Sequence, residues 1–231
     1  MPVLMIHGAG GGGWEWNVWR RVFAAAGHAV ATPDLQAVAA GVAATRWQDY
    51  LEQVATATQA LPTPRVLVGA SLGGLLALAA ENDIECAALV LVNPLPPLPE
   101  AASLPVSEAI PDLIPWGRDA SLAGTRRALP EAEDAACHYA FRRWRDESGM
   151  VLNTARAGIE LAAPRCPLLV IASERDEDVP PTLSTAFAQR VGASWLQVPG
   201  SHVGPLLGPQ AADCAGVTVH WLNSLEEFRT D

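Results

Sequence analysis

A chain of 231 residues, half of them hydrophobic and 17% charged, is long enough for one large domain that buries roughly 70–75% of the surface its unfolded form exposes. The formal net charge is −10 and all 15 basic residues are arginine, which argues against a nucleic-acid partner: its backbone would be repelled, and no basic run makes a local exception. Cys86, Cys137, Cys166 and Cys214 lie far apart with no paired spacing, so they read as reduced, mostly buried thiols and not as a zinc site.

Residues 2–6, PVLMI, predict a buried strand ending at His7-Gly8. The N-terminus has neither the basic region nor the long apolar run of a signal peptide. No stretch reaches the length of a membrane span, so a cytoplasmic protein with no membrane partner is expected. After the loop at 8–13, Trp16, Trp19, Val22, Phe23 and Ala26 recur at helical spacing over 14–26, and Gly27 closes that helix. A second strand near 28–32 leads to Pro33-Asp34. The segment 47–61 is the clearest helix, with Trp47, Tyr50, Leu51, Val54 and Leu61 on one face. Next, RVLV at 65–68 runs straight into Gly69-Ala70-Ser71-Leu72-Gly73, and helical spacing continues to about Glu81. A strand at 88–92 stops at Asn93-Pro94.

Prolines crowd 94–115 and rule out a regular helix or a central strand there. Residues 119–162 read as helices, notably 131–146. Strand signals return at 167–172, then a helix near 181–191, a strand near 193–198 and a final helix over 209–227. The alternation predicts an α/β fold with a parallel sheet covered on both faces. Residues 1–93 and 164–231 form its core on this reading. Residues 94–163 are a helical cap laid over the carboxyl edge of the sheet, where ligands of such sheets bind.

A strand running into a helix through G-x-S-x-G is the pattern of a nucleophile elbow, in which a strained turn lifts the serine hydroxyl clear of the backbone. Five residues alone are weak evidence, so the rest of the chain must supply a base, an acid and an oxyanion hole. In folds with this elbow the order along the chain is serine, acid, histidine, which leaves His202 and His220. His220 lies inside the last helix, whereas His202 follows a strand in a loop, Pro199-Gly200-Ser201-His202, able to reach Ser71. The acid should follow the preceding strand, where Glu174, Asp176, Glu177 and Asp178 all qualify chemically. The oxyanion donors should be the N–H of Leu72 and an N–H in the loop after the first strand, at Ala9 or Gly10.

The run at 8–13 also fits G-x-G-x-x-G after a strand and before a helix, with Asp34 where a ribose-binding acid would stand. A glycine run matches almost any glycine template, however, and Trp14 and Trp16 would crowd a helix start meant for a pyrophosphate. That reading also leaves Ser71, Asp176 and His202 unexplained.

With these landmarks in place the chain resembles the α/β-hydrolase fold superfamily over nearly its whole length. The resemblance rests on His7-Gly8-Ala9 with Trp14, Pro33-Asp34-Leu35, Gly69 to Gly74, Asp176-x-x-Val179-Pro180 and Gly200-Ser201-His202. The HGAGGGGWEW opening and the AAGHAVATPDL segment are similar to the plant methylesterase and hydroxynitrile lyase branch. The resemblance implies Asp176 as the acid, with Asp178 second, favours Ala9 over Gly10 as donor, and makes His7 a brace for that loop. The family's two opening strands are absent, which implies about six strands. The glycines of its D-L-x-G-x-G motif are missing at 37 and 39. The lyases' lysine beside the catalytic histidine is Val203 here, which argues against hydroxynitrile cleavage, and serine at 71 argues against dehalogenase or epoxide hydrolase chemistry.

The expected function is therefore hydrolysis of a small carboxylic ester, amide or thioester through an acyl-enzyme on Ser71, Asp176 and His202. No metal or organic cofactor is implied. The small-molecule pocket is expected to use Gly10, Trp116, Tyr139, Trp144 and Val203, with Phe141 and Met150 as further cap residues. Two other uses of the fold stay open, carbon–carbon bond hydrolysis on the same triad and ligand binding with little turnover. A monomer and a homodimer are both compatible with the sequence.

Overall fold

Strand β1 (Pro2–Ile6) is the apolar opening run, and Val3 to Ile6 are at most 1% exposed. A computed structural model describes residues 1–105 and 110–227 of the chain. A 3-10 turn (Gly13–Trp16) leads from the glycine loop into α1 (Asn17–Ala25), and Gly27 ends that helix at φ 85°, a conformation that strains any side chain. β2 (Ala29–Ala31), α2 (Trp47–Gln59), β3 (Val66–Ala70), α3 (Leu72–Glu81) and β4 (Ala88–Val92) follow in the predicted order.

After β4 the chain leaves the sheet. Residues 94–115 hold only a 3-10 turn (Glu100–Ser103) and the two-residue β5 (Leu113–Ile114) among those described; positions 106–109 of that proline-rich stretch lie outside the described residues. Then come α4 (Leu122–Ala128), α5 (Asp134–Phe141), β6 (Glu147–Ser148), which pairs antiparallel with β5, and α6 (Gly149–Ala157). The helix expected over 131–146 is thus shorter at both ends. Its start is lost because Glu131 is turned toward Ser201, and its end because the Arg145 N–H bonds the carbonyl of Gly10. These tertiary bonds override the helical pattern of the sequence.

The chain rejoins the sheet as β7 (Leu168–Ser173), followed by α7 (Pro181–Val191), β8 (Ser194–Val198), the short α8 (Gly204–Leu207) and α9 (Ala211–Glu227). Six strands pair in parallel in the order β2-β1-β3-β4-β7-β8. Alternate strand residues face opposite sides. Leu4, Ile6, Leu67, Leu89 and Val170 pack with residues of α2, α3 and α7. Val3, Met5, Val68, Val90 and Ile171 pack with Trp19, Phe23 and α9. With both faces covered, the central strands need apolar residues at every position, which is why they read as unbroken runs.

Candidate active site

The turn between β3 and α3 sets the geometry of the site. Ser71 sits at φ 52°, ψ −119°, outside the ordinary range of a residue with a side chain. Neighbouring backbone holds it there: its N–H donates to Val92 O at 3.0 Å, and its carbonyl accepts from Gly74 and Leu95 at 3.0 and 3.1 Å. The flanking glycines are steric requirements. A Cβ at Gly69 would lie 2.3 Å from the carbonyl oxygen of Gly73, and one at Gly73 would lie 2.3 Å from those of Ile6 and His7.

His202 and Asp176 come from the loops after β8 and β7. His202 Nδ1 lies 2.7 Å from Asp176 Oδ2, while Asp176 Oδ1 accepts the backbone N–H groups of Asp178 and Val179 at 3.0 and 2.8 Å. Asp176 is buried; Asp178 is exposed and makes no hydrogen bond to the ring. Burial alone would lower the His202 pKa, but the Asp176 hydrogen bond and the charges of Asp176 and Asp178 outweigh it, so the pKa is raised. Asp176, Asp178 and His202 are also the group, among the described residues, whose potential metal-ligand atoms fall within 4.8 Å of one another. The imidazole and the Asp176 carboxylate are bonded to each other, so that donor set is already committed.

Asn93 ties the two loops together. It sits at φ 44° after β4, donates to Ser173 Oγ at 2.8 Å and to the carbonyl of His202 at 2.6 Å, and accepts the Ser173 N–H at 2.7 Å. In the sequence it marks only the end of a strand.

On the other side of Ser71 the glycine loop is strung across three carboxylates. The N–H groups of Gly8, Gly10 and Gly13 donate to Glu15 at 3.2 Å, Glu147 at 2.9 Å and Asp34 at 2.7 Å. The Gly10 donor is therefore occupied. Among the described residues, the N–H groups of Ala9 and Leu72 have no hydrogen-bond partner. His7 Nδ1–H donates to the Gly8 carbonyl at 2.7 Å, and its Nε2 accepts the Leu35 N–H at 2.9 Å. Burial lowers the His7 pKa to about 4, so the ring is neutral and both its bonds are made at ordinary pH.

Ser71, His202 and Ala9 line one cavity of about 870 Å³, walled by Leu95, Ile114, Trp116, Trp144, Leu152, Val179, Val203 and Leu206. Ser71 Oγ makes no hydrogen bond to a described residue. A catalytic hydrogen bond in an unliganded site often closes only when substrate binds. Of the residues the sequence offers for a pocket, Trp116, Trp144 and Val203 lie on the cavity wall, and Tyr139 and Gly10 do not. Tyr139 packs instead against the start of α1, its ring edge-on to Trp14 at 5.8 Å and its hydroxyl bonded to Asn17. Gly10 is buried behind Trp116, whose ring leaves no room for a Cβ there. Phe141 and Met150 also stay off the wall.

Glu15 lines the cavity, a role that no sequence motif discloses. It is 3% exposed, and burial pushes its carboxyl up to about 8 against the opposing Gly8 hydrogen bond and the His202 and Arg145 charges. It is mostly protonated at neutral pH. A charged residue between Trp14 and Trp16 on a buried turn is the available signal.

A six-stranded parallel sheet with a strained serine after its third strand, and a histidine–aspartate pair beyond its last two, defines an α/β hydrolase. The chain belongs to the alpha/beta hydrolase family, whose profile matches residues 3–216. Compared by sequence with curated proteins, it has no significant match. Solved structures with a similar fold include a pyrethroid hydrolase from Sphingobium faniae JZ-2, at 17% identity and TM-score 0.74, covering 98% of this chain and 99% of that one. Polyneuridine aldehyde esterase is similar at 18% identity and TM-score 0.72, with 93% and 97% covered. Tomato methylketone synthase I bound to 2-tridecanone is similar at 16% identity and TM-score 0.75, with 97% and 98% covered.

Proposed function

We propose that this chain is a serine hydrolase of small carboxylic esters. His202 Nε2 takes the proton from Ser71 Oγ as that oxygen attacks the ester carbonyl. The carbonyl oxygen gains charge between the N–H groups of Ala9 and Leu72. The protonated imidazole, held by Asp176, then returns its proton to the departing alcohol. Water activated by the same histidine releases the acyl group from Ser71 and restores the enzyme. The observation that carries this reading is a strained Ser71 on the same cavity as an imidazole already aligned by a buried carboxylate. Support comes from the two unpartnered backbone donors beside that serine, and from fold neighbours whose names denote hydrolases and esterases. In its mostly apolar wall the cavity suits an uncharged acyl or alcohol group.

A labelling experiment with a fluorophosphonate, together with a chain-length screen of aryl esters, tests it. The wild type should label once at Ser71 and hydrolyse esters; Ser71→Ala should do neither. A mutant that labels or turns over as well as the wild type overturns the reading. The open Ser71–His202 contact favours one second reading, a ligand-binding protein with little turnover. Saturable ester binding without labelling at Ser71 would select it.

A further inference from the structure

Two carboxylates of the cap segment reach the two loops on which the proposed chemistry depends. Glu147, 3% exposed, accepts the Gly10 N–H on Oε2 at 2.9 Å. Its Oε1 accepts the Tyr50 hydroxyl at 2.9 Å and the Ser148 N–H at 2.7 Å. Two residues earlier in the chain, the Arg145 N–H donates to the Gly10 carbonyl at 2.8 Å. Both backbone groups of Gly10 are thus bonded to one short piece of the cap. Gly10 sits at φ 67° in a run of glycines, the kind of backbone that keeps most freedom unless something outside it takes hold. Gly8, on the other side of Ala9, is held by Glu15 and His7. With Gly8 and Gly10 fixed, the direction of the Ala9 N–H is fixed.

The histidine loop has a matching attachment. Glu131, between α4 and α5, accepts the N–H and the hydroxyl of Ser201 on Oε1 at 2.7 and 2.8 Å, one residue before His202. The loop is shaped around this oxygen. A Cβ at Gly200 would lie 2.8 Å from it and one at Gly204 2.2 Å. The other oxygen, Oε2, is buried and has no partner among the described residues.

We propose that Glu147 and Glu131 are positioning residues: Glu147 aims the oxyanion donor at Ala9 and Glu131 sets the place of the His202 ring, so the seated cap completes the site. The proposal rests on the ester-hydrolase reading of Ser71. It gives the cap a part in the chemical step beyond roofing the cavity, because both attachments bear on groups that act only as charge develops in the transition state. Disturbing either should therefore lower kcat and leave KM nearly unchanged.

The same isosteric substitution separates the two positions. In Glu147→Gln the amide oxygen keeps Tyr50 and Ser148, which both lie on Oε1. Its NH2 then faces the Gly10 N–H and pushes it away. In Glu131→Gln one oxygen is enough for both Ser201 bonds, and the NH2 replaces an atom that had no partner. Ester kinetics and the rate of fluorophosphonate labelling should be measured on the wild type, Glu147→Gln, Glu131→Gln and Glu131→Ala, with melting temperatures alongside. We expect Glu147→Gln and Glu131→Ala to lose roughly 10- to 100-fold in kcat and in labelling rate, less than outright removal of an oxyanion donor. Glu131→Gln should stay within about two-fold of the wild type, which separates loss of the acceptor from loss of charge. Wild-type kcat in Glu147→Gln, or a rise in KM with kcat unchanged, would overturn the proposal. So would equal losses in Glu131→Gln and Glu131→Ala. A wild type that neither labels nor turns over brings down the serine-hydrolase reading instead, and the positioning role with it.

Discussion

Asp176 and Asp178 stand two residues apart in one acidic loop, yet one is buried against His202 and the other is exposed. Asp176 holds Nδ1 of His202 at 2.7 Å and is itself held by two backbone N–H groups. Asp178 donates one of those N–H groups from its main chain, which a side-chain change leaves in place. Replacing Asp176 by asparagine should favour the wrong imidazole tautomer and cost on the order of 10⁴-fold in kcat. Asp178→Asn should leave kcat within a few-fold. Its charge raises the His202 pKa, and on the proposed mechanism His202 must be deprotonated to act. Removing that charge should therefore move the acid limb of the kcat/KM profile to lower pH. A pH–rate series on both variants checks the two roles; equal losses would mean the loop shares the task. At this scale the candidate residues legible in the sequence are those with a local pattern. Ser71 lay in a pentapeptide and His202 in a loop after a strand. Asn93, Glu131 and Glu147 owe their roles to partners far away in the chain. Glu147 meets Gly10 across 137 positions, a pairing that no spacing rule contains.

Among the elements, what was legible followed packing. The central strands are apolar at nearly every position because both faces are covered, so β1, β3, β4 and β7 lie within two residues of the limits their sequence predicts. The segments between β4 and β7 do not, because short helices there end where side chains or backbone bond to other elements, as Arg145 does with Gly10. The same division predicts what glycines tolerate. Gly73 lets α3 press against β1, and a Cβ there would sit 2.3 Å from two backbone oxygens. Gly73→Ala should cost at least ~2 kcal/mol and displace Ser71, because backbone on both sides must move. At Gly216, within α9, an added methyl group would meet nothing within 4 Å. Gly216→Ala should stabilise by about 0.5–1 kcal/mol through the freedom it removes from the unfolded chain. Urea titrations of the two variants should shift the midpoint in opposite directions; a shift of the same sign would contradict the packing described for α3 or α9.

For the whole molecule, three groups tie stability to pH through the same small region. His7 stays neutral to about 4 in the fold, so it favours the folded state less as pH falls from about 6.5 toward 4. Glu15 does the reverse. Its folded value of about 8, against 4.5 when free, means the native state keeps a proton that the unfolded chain has lost, so stability falls as pH rises from about 4.5 to 8. His202, raised by Asp176, adds a loss on the same side as its proton leaves. Between roughly pH 4.5 and 6.5 the His7 and Glu15 trends oppose each other; above that range His7 no longer offsets Glu15. The penalty at pH 7 is on the order of 3 kcal/mol, a large share of a typical folding free energy. Glu15→Gln keeps an acceptor for the Gly8 N–H and has no proton to lose. The variant should melt higher than the wild type at pH 8, by several degrees, and match it near pH 5. Thermal unfolding followed from pH 5 to 8 decides the point: parallel curves for the two proteins would mean that Glu15 is ionised in the fold and finds its compensation from His202 and Arg145.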